Sequence, residues 1–319
     1  LHPLARSSFN GIAKPAAFCY SVTLNRSVFG FIPTGLAVKE ELGDLSSMDT
    51  PPSRPGRASG SRQASRARQG AGAIKAVLFD KDGALIDFDS TWRGAFFEVA
   101  LELTRQDPVL TRELMEAGGW DEESQSFRAG SLCAAGTSLE LAEHWSGLLP
   151  EGPDPVRMAE WMDRQFALAG STGVKAVTPL PALFDELASR GLLLGVATSD
   201  SEAGATACLK SLGALDRFSF IAGYDSGHGV KPSAGMALAF CRHLGIRPSQ
   251  IAVVGDNLHD MEMGRAAGAG LLVGVLSGTS LASDLEALAD CILPDISHLP
   301  NALEGRDSGR DEEAAPETA

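Results

Sequence analysis

The sequence predicts an α/β protein, a doubly wound parallel sheet with a helical module inserted after its first strand. Three observations predict it. Short apolar runs recur along the chain, each ending in small or acidic residues. Segments of helical spacing separate those runs. Residues 88–175, after the first run, hold helical patterns and nothing that resembles a buried strand. Near-continuous Val, Ile, Leu and Ala fit strands buried on both faces, and strands alternating with helices fit a doubly wound sheet.

The first run is "AIKAVLFD" (73–80). Four helical stretches follow it: "TWRGAFFEVALELTRQ", "PVLTRELMEAG", "SLELAEHWSGLL" and "DPVRMAEWMDRQFALAG". Residues 88–175 hold all four tryptophans, Trp92, Trp120, Trp145 and Trp161, which we read as helical core packing. The helical pattern "LPALFDELASRG" then leads into the second run, "GLLLGVATSD" (191–200). After it come "FSFIAGYDSG" (218–227), "IAVVGDN" (251–257) and "AGLLVGVLSG" (269–278), with the helical patterns "SEAGATACLKSLGALD" and "PSAGMALAFCRHLGI" between.

The ends differ from the middle. Residues 1–72 include "PPSRPGRASGSRQASRARQGAG" (51–72), with five arginines, no acids and much Ser, Gly and Pro. Such a segment cannot bury enough apolar surface to fold, so residues 1–72 read as a disordered extension. An organelle-targeting segment is the rival reading, disfavoured because no clear amphipathic helix precedes the arginines. Residues 301–319 read as a disordered acidic tail. The expected domains are therefore a core of residues 73–87 and 176–300 and a helical cap of residues 88–175.

A formal net charge of −14 repels a phosphate backbone and argues against nucleic acid as a partner. No apolar run is long enough to span a membrane. Five scattered cysteines without C-x-x-C spacing point to a reducing compartment, no disulfide framework and no zinc site. A cytoplasmic location is the expectation.

The chemistry sits where the runs end. "FDKDGALID" (79–87) places Asp80 and Asp82 two positions apart at the close of the first run. Two like charges there are either solvated or share a cation. In open parallel sheets ligands bind beyond the carboxyl ends of the strands. The second run ends in Thr198, Ser199 and Asp200, and the fourth in Asp256, with Asp260 four residues on. Lys231 stands in "GHGVKPSAG" before a helix. Several carboxylates at one rim are hard oxygen ligands for Mg²⁺, and Lys231 and Thr198 suit a phosphoryl group on the same metal. A carboxylate can be the phosphoryl nucleophile, and a second can move the proton.

The set "LFDKDGALID", "GVATSD", "GVKP" and "VVGDNLHD" resembles the four motifs of the haloacid dehalogenase superfamily, in particular its phosphoglycolate phosphatase-like hydrolases. The resemblance runs from about residue 73 to 297. It implies a Rossmann-like core with a helical cap, Mg²⁺ as cofactor and a small phosphorylated metabolite as substrate. It also implies an aspartyl-phosphate intermediate on Asp80 and an acid/base at Asp82. Lys231 is its catalytic and phosphate-binding lysine, and Gly83, Thr198 and Ser199 are phosphate contacts. Asp80, Asp82 (through its carbonyl), Asp256 and Asp260 form the metal site. Ala84 stands where the family usually has Thr. A sugar-phosphate mutase with the same two acids, and a non-catalytic binding protein on this scaffold, are the alternatives. His228 and His259 lie near the expected rim and read as partly exposed histidines rather than ligands, while Asp87 reads equally as a hinge residue or a solvated acid.

Overall fold

The computed structural model describes residues 73–150 and 152–304. The expectations for residues 1–72 and for the tail beyond residue 304 lie outside the described residues. Strand β1 (Ala76–Phe79) is followed by α1 (Phe88–Leu103), α2 (Pro108–Gly118), β2 (Trp120–Asp121), β3 (Ser126–Phe127), α3 (Leu132–Ala135), α4 (Ser138–Ser146) and α5 (Pro155–Gly170). The chain then alternates through α6 (Leu180–Ser189), β4 (Leu193–Ala197), α7 (Glu202–Ser211), β5 (Phe220–Ala222), α8 (Gly235–Leu244), β6 (Ile251–Gly255), α9 (Leu258–Ala267), β7 (Leu271–Val275), α10 (Ala282–Leu285) and β8 (Cys291–Leu293).

Among the described residues, β5-β4-β1-β6-β7-β8 form one sheet. All its pairings are parallel. Side chains alternate across a strand, and here both faces are covered. Val77 and Phe79 of β1 face one apolar cluster with Leu183, Phe184 and Leu187 of α6. Ala76 and Leu78 face a second cluster with Met236 and Phe240 of α8 and Met261 of α9. The apolar runs lack alternation because each face has its own layer of helices. The fold is the expected α/β class.

The helices between β1 and α6 start where local chemistry starts them. Asp87 caps α1 by accepting from the Ser90 N–H at 2.9 Å. Asp107 caps α2, with Pro108 in its first turn, and Asp154 and Pro155 do the same for α5. Thr137 and Glu140 form a reciprocal capping box on α4. Asp87 also donates its N–H to the Lys175 carbonyl at 2.8 Å, so it joins the two chain crossings between sheet and helices. Trp120 and Trp145 are buried core residues, as expected.

Three details differ from the sequence reading. Residues 120–127 form a two-stranded antiparallel ribbon inside the otherwise helical segment. Each strand is two residues long, too short for a period of two to register. Strand β8 was not anticipated, because three half-buried residues at a sheet edge carry little pattern. Leu303 is also buried in the main cluster, so the packed core reaches past residue 300.

Candidate active site

Strands β4 and β6 flank β1 in register, pairing Phe79 with Val196 and with Val254. Their carboxyl ends therefore lie side by side, and each delivers one polar residue: Asp80, Thr198 and Asp256. The site is a property of strand order. All three residues are buried.

Lys231 joins them from the loop before α8. Its Nζ donates to Asp80 Oδ1 at 2.5 Å and to Asp260 Oδ1 at 2.6 Å. Asp260 also accepts the Asn257 N–H through Oδ2 at 3.1 Å, which fixes it at the first turn of α9. Carboxylate oxygens of Asp80, Asp256 and Asp260 lie within 4.8 Å of one another. Burial pushes Asp80 up to about 7, and Asp260 and Asp82 add to the rise while Lys231 opposes it. Burial, with the charges of Asp80 and Asp260, likewise raises Asp256 well above the ordinary carboxylate range. For Lys231, burial works against the ammonium, but Asp260 and Asp80 overcome it and keep the lysine charged. Three carboxylates facing one ammonium leave excess negative charge in a dry place. That excess, on hard oxygen donors, fits a divalent cation such as Mg²⁺.

The signs give a testable consequence. Asp80 holds its proton more tightly folded than unfolded, so ionising it costs the metal-free fold stability. The cost is absent below about pH 3.8 and complete above about pH 7. A cation held by these carboxylates removes that cost, and protons compete with it. Mg²⁺ at about 100 times its dissociation constant should add about 2.7 kcal/mol of stability, with a larger rise in melting temperature at pH 8 than at pH 5.5. Equal shifts at both pH values would contradict the assignment.

The loop after β1 is closed by backbone. The Leu85 and Ile86 N–H groups donate to the Lys81 carbonyl, and the Gly83 N–H donates to the Ile86 carbonyl at 2.8 Å. No hydroxyl at Ala84 is needed to form it. The Gly83 N–H, expected to cradle phosphate, is thus already committed within the loop. What the geometry requires of Gly83 is the absence of a side chain. Its φ is +80°, and a Cβ would come within 2.5–2.8 Å of the Asp256 carboxylate. Gly83→Ala should therefore displace Asp256. A misplacement of about 1 Å costs on the order of 10²-fold in activity, and the Mg²⁺ concentration giving half activation should rise. Unchanged Mg²⁺ activation would refute this role.

Asp82 is placed differently from the other acids. Its Oδ1 accepts from Trp92 Nε1 at 2.5 Å, and its Oδ2 lies 2.6 Å from Lys81 Nζ. Lys81 is fully buried, pairs also with Asp200 at 3.2 Å, and sits 4.7 Å over the Trp92 ring. Burial opposes the Lys81 charge, and Asp82 and Asp200 outweigh it. The carboxylate of Asp82 thus stands outside the cluster of Asp80, Asp256 and Asp260. Any part it takes in holding metal falls to its backbone carbonyl.

Trp92 corrects the reading of the tryptophans as core packing alone. It is buried, but its N–H holds Asp82 and its ring lines the cavity. Lys81 was not singled out from the sequence, and Asp200 was placed at the rim without a role. Lys81 lies beyond the end of β1, where strand alternation no longer assigns a face, so its spacing carried no signal.

Thr198 Oγ1 accepts the Asp200 N–H at 3.1 Å within the cavity wall. Ser199 also lines the cavity, and its hydroxyl donates to the Ala135 carbonyl at 3.0 Å, a tie between β4 and α3. His259 and Asn257 line the same cavity. Among the described residues, His259 Nδ1 and Asn257 Nδ2 are buried without a hydrogen-bond partner. His228 instead stacks on Phe220 at 6.0 Å between ring centroids.

The haloacid dehalogenase-like hydrolase family matches residues 74–268. A phosphoglycolate phosphatase of Yersinia pseudotuberculosis is 28% identical over 244 residues, 76% of this chain and 97% of that protein. An N-acetylmuramic acid 6-phosphate phosphatase of Pseudomonas aeruginosa is 29% identical over 197 residues, 61% of this chain and 79% of that protein. The crystal structure of CbbY from Rhodobacter sphaeroides in complex with phosphate shares the fold, with a TM-score of 0.54 at 20% identity, over 71% of this chain and 96% of that one. The segment that matches the family contains β1, Lys231 and all three clustered carboxylates, and this chain belongs to the haloacid dehalogenase-like hydrolases.

Proposed function

We propose that this chain is an Mg²⁺-dependent hydrolase of small phosphomonoesters. The observation that carries the reading is the Lys231 bridge between Asp80 and Asp260, with Asp256 beside them. A nucleophile, a fixed cation and a metal-binding pair then share one dry site. Asp80, held through Oδ1 by Lys231, attacks phosphorus and takes up the phosphoryl group as an aspartyl-phosphate. Asp82 gives a proton to the departing alcohol oxygen, then removes one from the water that cleaves the intermediate. Lys231 and the Thr198 hydroxyl stabilise the phosphoryl oxygens, and Ser199 borders them. Asp80, Asp256, Asp260 and the Asp82 carbonyl would hold Mg²⁺, which supplies charge neutralisation at the phosphoryl group.

Helices α1–α5 act as a cap that shields the intermediate from stray water and shapes the substrate. Three ties join them to the sheet side: Trp92 to Asp82, Ser199 to Ala135, and the Tyr224 hydroxyl to Asp163 at 2.6 Å. The names of the relatives make 2-phosphoglycolate the first substrate to assay. Phosphate release from a panel of phosphomonoesters, with Mg²⁺ and with a chelator, tests the reading. Release that survives the chelator, or no release from any ester, defeats it. Release without a bisphosphate activator separates hydrolysis from a mutase reaction, and any turnover excludes a purely binding role.

A further inference from the structure

The cavity has two unlike halves. Its sheet side carries the carboxylates, Lys231, Asn257 and His259. Its cap side is built from Phe88, Phe96, Leu132, Leu141 and Phe166, beside Trp92. Among the described residues, no Lys, Arg or His of the cap lines it. Of the two cap hydroxyls in the wall, Thr137 is already committed. Thr137 donates to Glu140 Oε2 at 3.0 Å, and Ser138 is buried at the first turn of α4. The N-terminus of α4 also opens here, but Glu140 answers it within the capping box. So the charges just behind the cap wall are the Glu140 and Asp163 carboxylates, and the Lys81 cation behind Trp92 is already paired with Asp82 and Asp200. The cavity holds about 70 Å³, room for roughly five water-sized bodies.

The phosphoryl group belongs on the sheet side, where its cations are. The rest of the substrate must then meet the cap. A second anionic group there, such as a carboxylate or a second phosphate, would be desolvated against Phe and Leu with no counter-ion and with Glu140 and Asp163 behind them. Burying an unpaired charge is strongly unfavourable. A small uncharged group loses little by entering and gains apolar contact.

We infer that the substrate is the phosphate monoester of a small uncharged alcohol, selected by the cap against esters with a second negative charge. The inference rests on the phosphatase reading and narrows it. Against the names of the relatives, it places 2-phosphoglycolate among the poorer substrates. It also disfavours a bisphosphate, on which a mutase depends.

The test compares two esters of near-equal shape, isobutyl phosphate and 2-phosphoglycolate, with the full chain and Mg²⁺. The isopropyl group of one replaces the carboxylate of the other. The expected result is a kcat/KM for isobutyl phosphate about tenfold or more above that for 2-phosphoglycolate. Leu132 is only partly buried at the start of α3, so Leu132→Arg places a cation in the cap with little loss of packing. That variant should move the ratio toward 2-phosphoglycolate by about tenfold. A wild-type preference for 2-phosphoglycolate overturns the inference and leaves the phosphatase reading intact. Turnover of neither ester, nor of any other monoester, overturns the phosphatase reading itself. If Leu132→Arg fails to fold, the wild-type ratio decides alone.

Discussion

Asp80→Asn is expected to lose turnover without losing stability. The amide cannot attack phosphorus, so kcat should fall by on the order of 10⁴-fold or more, as removal of a nucleophile does in other covalent mechanisms. Stability should move the other way. Burial first, then Asp260 and Asp82, raise the proton affinity of Asp80, so its ionised form is a cost to the metal-free fold at pH 8. Asn carries no such charge and keeps an oxygen for Lys231 Nζ, which still has Asp260 at 2.6 Å. Melting in a chelator at pH 8 should therefore occur at the wild-type temperature or above it, while phosphate release is lost. Activity within tenfold of wild type would remove Asp80 from the reaction. A steep fall in melting temperature would mean that the aspartate is structural.

Lys81→Met is expected to do the reverse and damage the fold most. Lys81 is wholly buried, and its ammonium lies between Asp82 and Asp200. Methionine approximates its length and apolar body, so packing over Trp92 survives while the charge goes. Two neighbouring carboxylates are then left without a counter-ion at the edge of the core, with the Trp92 and Ser201 N–H groups still donating to them. Breaking a buried pair on one side costs about 3–5 kcal/mol, a large share of the total for a domain. Asp200→Asn added to Lys81→Met should restore part of the loss, because the amide removes one orphaned charge. Denaturant melts of both single variants and the double variant measure the coupling. Additive losses would show that Lys81 and Asp200 do not act as a pair. The Lys81 variant should also lose activity beyond its folding defect, since Asp82 depends on Lys81 at Oδ2 and on Trp92 at Oδ1 for its position.

Much of this was legible from the chain. The apolar runs located β1, β4, β5, β6 and β7, because strands covered on both faces need unbroken apolar stretches. Helical spacing located the inserted helices, and the caps at Asp107-Pro108 and Thr137…Glu140 emerged only with the structure. The short ribbon at Trp120–Phe127 and the edge strand at Cys291–Leu293 escaped, because two or three residues are too few to show a period. Lys81 and Trp92 escaped for another reason. Each has an ordinary local role, a strand-end lysine and an apolar helix face. Only the fold, which brings Trp92 back to Asp82 across a separation of ten residues, gives Asp82 its two partners.

By itself the sequence determined which groups could do chemistry: acids at strand ends, one lysine before a helix, a hydroxyl after the second run. Residue type and spacing fix that much, because strand ends in a parallel sheet open toward one rim. Tertiary structure alone decided which of those groups meet. It set Lys231 between Asp80 and Asp260, held Asp82 between Lys81 and Trp92, committed the Gly83 N–H to its own loop, and walled the far side of the cavity with apolar rings. Such contacts join residues up to 151 positions apart. They depend on how helices pack over a sheet, and no local pattern along the chain encodes that distance.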